Sequence, residues 1–390
     1  MSSPSEEAFG LEGDVLDEIF SEWEDSATNK VINNNPDDIE HSGISEETKS
    51  SPAPSDAKQK EKDASSSAST SFEYTVNKAE SCSDICFSPL EKFRPGYLWV
   101  TDLTRQIWCE QQLYYTFTVP SIAGENPVMT AGTDLHLARE LAAHDIVKVE
   151  VQSSEDIWAI KMLNLHSALI TFLTGGKIAR EVPVFGNPFK ENLLVVGIID
   201  ELQFDPSLYT IELNELKTRQ SSSFPSKAQK KQHNFQVMLY KTLFDDLVKG
   251  KVSKEFMASS LQIDLRKELG QAIKEHAEKQ FVVIKNLNDL MDTIFHKIQT
   301  LTCINRIFIE YVHQESKQTI GHVEIEYDVS EISGLYKQCV QFWRGNRSSV
   351  GVEIEEAWKC QKCNFQSVCE WREKKAAECE FKNKQNKKIK

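Results

Sequence analysis

Nowhere do the 390 residues collect the roughly 20 consecutive apolar side chains that a membrane-spanning helix needs. The start, MSSPSEEAFG, lacks the basic-then-apolar pattern of a secretory signal, and a soluble, intracellular protein is expected. An even set of cysteines is missing too. There are nine, and without an export signal they argue for reduced thiols or metal ligands rather than a disulfide framework. An excess of positive charge is also absent: Lys and Arg number 45 against 59 Asp and Glu, a net charge of −14. That balance looks unpromising for a partner of a polyanion, but the deficit is local. Residues 1–70 hold 17 acids and 5 lysines, whereas the other 320 residues carry 42 acids and 40 bases. The body of the chain is nearly neutral, and its charge does not exclude nucleic acid.

Residues 1–75 are rich in Ser, Asp, Glu, Asn and Lys and are expected to be a disordered acidic tail, because such a composition buries too little apolar surface to offset chain ordering. Within it Leu11, Val15, Leu16, Ile19, Phe20 and Trp23 recur at helical spacing among acids, a pattern suited to folding onto a basic groove of a partner protein. The 40% hydrophobic content is enough for a real core, which is expected over residues 76–375 as one mixed α/β domain. A basic tail, 376–390, closes the chain with KNKQNKKIK.

Thr133 is placed to cap a helix running through His136, Arg139 and Glu140. A second helix is expected over SSEDIWAIKMLNLHSALITFL. Two strands follow, Leu193 to Leu202 and Tyr209 to Lys217, joined by a turn at Asp205, Pro206 and Ser207. AQKKQHNFQVMLYKTLFDDLVKG reads as an amphipathic helix ending at Gly250. A helix over Leu287 to Leu301 and strands at Arg306 to His313 and His322 to Asp328 complete the pattern. Residues 250–301 are expected to form a helical cover over the active site.

The chemistry concentrates in the hairpin. Asp200 lies near the end of one strand, and Glu215 and Lys217, two apart on the next, point to the same side. Phosphodiester hydrolysis needs hard oxygen ligands for Mg²⁺ or Mn²⁺, and Asp200, Glu215 and the Leu216 carbonyl supply them, with Lys217 orienting water or neutralising charge on the phosphate. Taken alone, Glu215 paired to Lys217 or Arg219 on a solvated strand face is the alternative. Arg219, Lys227, Lys230 and Lys231 are candidates to track a phosphate backbone, and Tyr240 to meet a base or phosphate.

Near the C-terminus WKCQKCNFQSVCEW sets Cys360, Cys363 and Cys369 in a C-x2-C-x5-C pattern that wants a fourth thiolate. Sets of four select zinc or an iron-sulfur cluster, and the spacing does not separate the two. Cys82 and Cys86 are a competing ligand pair, while Cys303, Cys339 and Cys379 read as ordinary thiols.

Together these segments resemble the RecB-like branch of the PD-(D/E)XK nuclease superfamily. The resemblance is carried by LWVTDLTRQIWCE, GTDLHLARELAAHD, VPVFG, GIIDEL, ELKTR, FQVMLYK, EYVHQE and EEAWKCQKC, from about Ser88 to Trp371. It implies a restriction-endonuclease-like core, a mixed central sheet flanked by helices, closed by a four-cysteine iron-sulfur staple. It implies that His136 joins Asp200, Glu215 and Leu216 at the metal, and that Gln236 and Tyr240 form the Gln-x-x-x-Tyr signature of the helix after the catalytic lysine. It makes Cys109 the fourth ligand of a [4Fe-4S] cluster with Cys360, Cys363 and Cys369. The activity implied is a Mg²⁺-dependent exonuclease that degrades single-stranded DNA from a free end in nuclear DNA repair. A monomer is expected, in the nucleus and also the cytosol, with a single-strand DNA-binding protein as candidate partner of the acidic segment. The alternatives are a RecB-like module that binds single strands or DNA ends without cutting, and a zinc-stapled scaffold. Both directions of digestion use the same metal chemistry, so the residues leave the polarity open.

Overall fold

The structure, a computed structural model, describes residues 87–122 and 149–389. The acidic tail, the His136 segment and the Cys82 and Cys86 pair lie outside these residues. In chain order the described elements are α1 (Pro89–Phe93), β1 (Tyr97–Trp99), α2 (Val100–Thr118), α3 (Ser154–Leu173), β2 (Ile178–Gly186), β3 (Leu194–Asp205), β4 (Thr210–Arg219) and α4 (Lys227–Val248). There follow α5 (Lys254–Leu261), α6 (Gln271–Lys279), α7 (Leu287–Ile298), β5 (Ile304–His313), β6 (Thr319–Glu324), α8 (Val329–Trp343) and α9 (Glu370–Ile389). The strands form one mixed sheet flanked by helices, as an α/β chain with these alternating patterns should.

β3 is gripped on both edges. β2 runs antiparallel along one, from Ile178 opposite Gln203 to Gly186 opposite Val195. The other edge is shared: β1 pairs in parallel with Leu194, Val195 and Val196, and β4 pairs antiparallel with the stretch from Glu201 to Asp205. The run between those two partners, Gly197 to Asp200, therefore faces the place where β1 ends and β4 departs. β4 continues in parallel register with β5 as far as Arg219 opposite His313, and β6 closes the far edge antiparallel to β5.

Capping sets where the helices start. Ser153 accepts the Asp156 amide at the head of α3, and Ser226 with Gln229 forms a capping box at the head of α4. α4 buries Phe235, Val237, Met238, Leu239, Tyr240, Leu243, Phe244 and Leu247, which exceeds a single apolar stripe and marks a central helix. Each such side chain contributes roughly 1.5–3 kcal/mol when fully buried, so the core and not helix propensity holds α4 in place.

Two expectations change. The last strand starts at Thr319 and ends at Glu324, because residues 314–318 are used by the turn and Asp328 instead caps α8, accepting the Ser330 and Glu331 amides. The helices of residues 250–301 are built into the core on the α3 side and do not stand as a separate cover. Phe295 of α7 lies 6.3 Å from Phe185 of β2, Lys267 pairs with Glu155, and the Gly270 amide donates to Asp156. Their apolar faces, including Leu287, Leu290, Met291, Ile294 and Ile298, are satisfied there.

A polar chain crosses this helical layer. Lys297 Nζ donates to His166 Nε2 at 2.6 Å, which leaves His166 Nδ1 to donate to Gln280 Oε1 at 3.3 Å, and Gln280 Nε2 lies 3.3 Å from His276 Nε2. Burial, with the Lys297 charge added, holds the His166 imidazole below the usual histidine range, and burial with Lys279 does the same to His276. Both rings thus bind protons more readily in the unfolded chain, so stability is lost as pH falls below about 6.5 and is retained above it. Urea unfolding at pH 7.5 and 5.5 is expected to show a lower midpoint at 5.5, with a smaller difference in His166→Gln; equal pH sensitivity in the two proteins would contradict this.

Candidate active site

The tip of the β3–β4 hairpin is fixed by Asp205, whose Oδ1 accepts the Ser207 amide at 2.8 Å and the Leu208 amide at 3.3 Å. From that turn the strands pair as far as Glu201 opposite Asn214 and then diverge, while β4 stays paired to β5 on its other edge. Asp200 sits at the divergence. Its Oδ2 accepts the Leu216 backbone amide at 2.7 Å, which holds this carboxylate beside the residue that follows Glu215. Glu215 is wholly buried and Lys217 is 2% exposed, with Lys217 Nζ 3.0 Å from Glu215 Oε1. The solvated-face alternative for Glu215 and Lys217 is thereby removed. The Asp200 and Glu215 carboxylates and the Leu216 carbonyl are hard oxygen donors of the kind that Mg²⁺ or Mn²⁺ takes. His136 lies outside the described residues.

α4 lines the back of this site. Gln236 Nε2 donates to the Tyr240 hydroxyl at 3.1 Å, so the residues of the Gln-x-x-x-Tyr pattern do meet one turn apart. Tyr240, however, is fully buried. A Cβ on Gly197 would stand 2.5 Å from its Cε1 and 2.8 Å from a Val100 methyl, so the ring packs flush on β3, three residues ahead of Asp200. The expected contact of Tyr240 with a base or phosphate gives way to a supporting role. Arg219 is likewise turned inward, its Nε donating to the Ser223 carbonyl at 2.8 Å and an Nη to Gln229, which fastens the loop between β4 and α4. Lys227, Lys230 and Lys231 stand exposed on the first turns of α4.

The sequence reading missed His233. It is buried, lies 3.1 Å through Nδ1 from the Tyr311 hydroxyl, and is held well below the usual histidine range by burial, with the Lys217 and Arg219 charges adding to it. A neutral imidazole therefore stands beside Lys217. Its position one turn before Gln236 on the same helix face was the available signal.

The thiols form a second centre. Cys109 interrupts α2 with an extended backbone, φ −163° and ψ 106°, and two residues on the Gln111 amide bonds to the Val350 carbonyl instead of staying within the helix. This turn faces Cys109 to the C-terminal segment. Cys109, Cys360, Cys363 and Cys369 line one cavity together with Trp108, Tyr115, Lys359 and Phe365. Burial pushes the Cys109 thiol up to about 12, with the three neighbouring cysteines adding to the shift, and burial raises Cys360 and Cys363 as well. Lys359 reaches back, donating to the Trp108 carbonyl at 3.0 Å with its ammonium 4.3 Å from that indole. Cys303 lies by Asp245 and Lys249, and Cys339 is buried under α2, so neither shares the cavity. Among the described residues no three His, Cys, Asp or Glu side chains close on one point as the ligands of a lone ion do.

A family model described as "Exonuclease V - a 5' deoxyribonuclease" matches residues 88–212, 204–282 and 274–372. The curated Exonuclease V of Danio rerio is 38% identical over 301 residues, covering 76% of this chain and 75% of that protein. Among solved structures, the crystal structure of SSO0001 covers 71% of this chain and 87% of its own, at 15% identity and a TM-score of 0.32, a likeness too distant to bear on the fold.

The packing of Tyr240 on β3 makes Gly197 sensitive. Gly197→Ala is expected to destabilise by about 1–3 kcal/mol through overpacking and to lower nuclease activity by disturbing the strand that carries Asp200. Gly334→Ala, in α8 with open space around it, is expected to be neutral or to stabilise by up to about 1 kcal/mol. Urea unfolding of both variants checks this; an unchanged midpoint in Gly197→Ala would show that the close approach is not real.

Proposed function

Since the chain belongs to the exonuclease V family and is accordingly a deoxyribonuclease, we propose that it hydrolyses single-stranded DNA from a free end, with the 5' polarity of the family's description, in DNA repair. The observation that supports catalysis in this chain, over mere binding, is the hydrogen bond from Leu216 to Asp200, which gathers two acids and Lys217 at the fork. Asp200, Glu215 and the Leu216 carbonyl are the groups that would hold Mg²⁺ or Mn²⁺, with His136 as the further ligand implied by the resemblance. When bound, that ion polarises the phosphate and lowers the pKa of a coordinated water.

The residues themselves divide the remaining work. Lys217, steadied 3.0 Å from Glu215, keeps its ammonium at the acids, where it meets negative charge that builds on the phosphate. Burial excludes bulk water around Glu215 and Lys217 and so strengthens these interactions. His233, kept neutral, adds no competing cation next to Lys217 and bonds to Tyr311 instead. Lys227, Lys230 and Lys231, exposed on the first turns of α4, offer phosphate contacts.

For the four cysteines we favour a [4Fe-4S] cluster over zinc. Four thiols line one cavity together with Trp108, Tyr115 and Phe365, and a thiolate-held cluster is what the resemblance implies for such a set.

Two experiments test these readings. In Mg²⁺, wild type is expected to degrade linear but not circular single strands, and Asp200→Ala to lose at least about a hundredfold of that rate, since a bound metal supplies several kcal/mol of charge stabilisation. Equal rates in the variant would place the chemistry elsewhere, and cutting of circles would make the enzyme an endonuclease. The purified protein is expected to be brown, with a visible charge-transfer band that Cys363→Ser abolishes; a colourless protein holding one zinc per chain would overturn the cluster.

A further inference from the structure

Lys217 of β4 pairs with Tyr311 of β5, and Tyr311 pairs with Gly321 of β6. Residues paired across strands share a face, so these three stand in one row across the sheet, starting at the catalytic lysine. Over the far end of that row lies Phe224. Its ring meets the Tyr311 ring edge-on, 5.8 Å between centroids at 85°. The lack of a side chain at Gly321 makes the space, because a Cβ there would come within 2.6 Å of Phe224 Cζ.

The loop that carries Phe224 is pinned. Arg219 holds the Ser223 carbonyl at 2.8 Å, the Ser221 and Ser223 hydroxyls lie 2.9 Å apart, and His313 Nε2 meets the Gln220 carbonyl at 2.9 Å. Despite this anchoring the ring remains 45% exposed, which keeps a large apolar surface in water. Lys230 places its ammonium 5.6 Å from the ring centroid, and Lys227 and Lys231 share that helix face at i, i+3 and i+4. A fixed, partly exposed aromatic with a lysine alongside is what single-strand binding uses: the ring takes a base, and the cation takes a flanking phosphate.

We propose that Phe224 is a stacking platform for one base of the single strand, seated about two strand spacings, roughly 10 Å, along the sheet from Lys217. The proposal rests on the single-strand reading of the function. Because every base presents a π-face, such a platform selects unpaired bases without selecting sequence. A duplex, with its bases already stacked on one another, offers the ring nothing until it is opened.

The full chain in Ca²⁺, without Mg²⁺ or Mn²⁺, is titrated with a fluorescent oligothymidylate and with a series carrying one abasic residue at successive positions from the end. Phe224→Ala is expected to weaken binding roughly five- to hundredfold. Phe224→Trp is expected to keep the affinity and to have its added indole emission quenched by the strand. One abasic position is expected to weaken wild type about as much as Phe224→Ala does, and to add little to that variant. Unchanged binding by Phe224→Ala, or an equal abasic penalty at every position in both proteins, would overturn the platform while leaving single-strand specificity intact. Failure of wild type to bind single strands at all would overturn both. Should circular dichroism show Phe224→Ala unfolded, Phe224→Leu keeps the apolar volume without the flat ring. Weakened binding by a folded Phe224→Leu supports stacking, and unchanged binding rejects it.

Discussion

The hydrogen bond from the Leu216 amide to Asp200, at 2.7 Å, is the constraint on which the site depends. It spans the point where β3 and β4 part while β4 stays paired to β5, so it joins two strands that no longer share a ladder there. A bond from an amide to a carboxylate in a buried place is about twice as strong as a neutral one, and here it ties Asp200 to the backbone next to Glu215. Glu215 and Lys217, buried beside it, are poor investments for stability. A buried ion pair recovers its desolvation cost only with very good geometry, and a well-packed apolar pair often does as well or better. On the proposed reading, catalysis is what keeps the two charges there.

Packing behind the fork supplies the rigidity that the chemistry needs. Tyr240 can lie flat on β3 only because residue 197 is glycine, and Gln236 holds the Tyr240 hydroxyl from one turn earlier on α4. Arg219 and the Ser226–Gln229 capping box fix the angle at which α4 leaves the sheet. The same helix delivers His233 to Lys217, and it carries three exposed lysines on its first turns. The thiol centre is tied in by a separate set of contacts. Glu110 binds Arg347 and the Val350 amide, and Gln106 accepts from the Trp343 indole, so α2 and the C-terminal segment are already joined by side chains near the cavity.

Much of this was legible from residue pattern. Period two placed Glu215 and Lys217 on one side of a strand, the Asp-Pro-Ser turn located the hairpin, and the run from Ala228 to Gly250 announced α4. What escaped was decided by tertiary approach. Tyr240 and Arg219 are residues that pattern assigns to the surface as readily as to the interior; a missing Cβ at Gly197 and a carbonyl at Ser223 draw them inward. The helices of 250–301 carry amphipathic faces that say they pack, but not against which element, and they chose α3 and β2. The break at Cys109 has no proline or glycine to announce it and follows from the bond between Gln111 and Val350, some 240 residues apart in sequence.

The central claim is that Asp200 and Glu215 hold one divalent cation between β3 and β4. Calorimetric titration of Mn²⁺ into the protein without DNA addresses it without relying on turnover. The account predicts one saturable site in wild type, weakened at least about tenfold in Glu215→Gln and kept in Lys217→Ala, where a competing cation has been removed. Equal Mn²⁺ affinity in wild type and Glu215→Gln would contradict it.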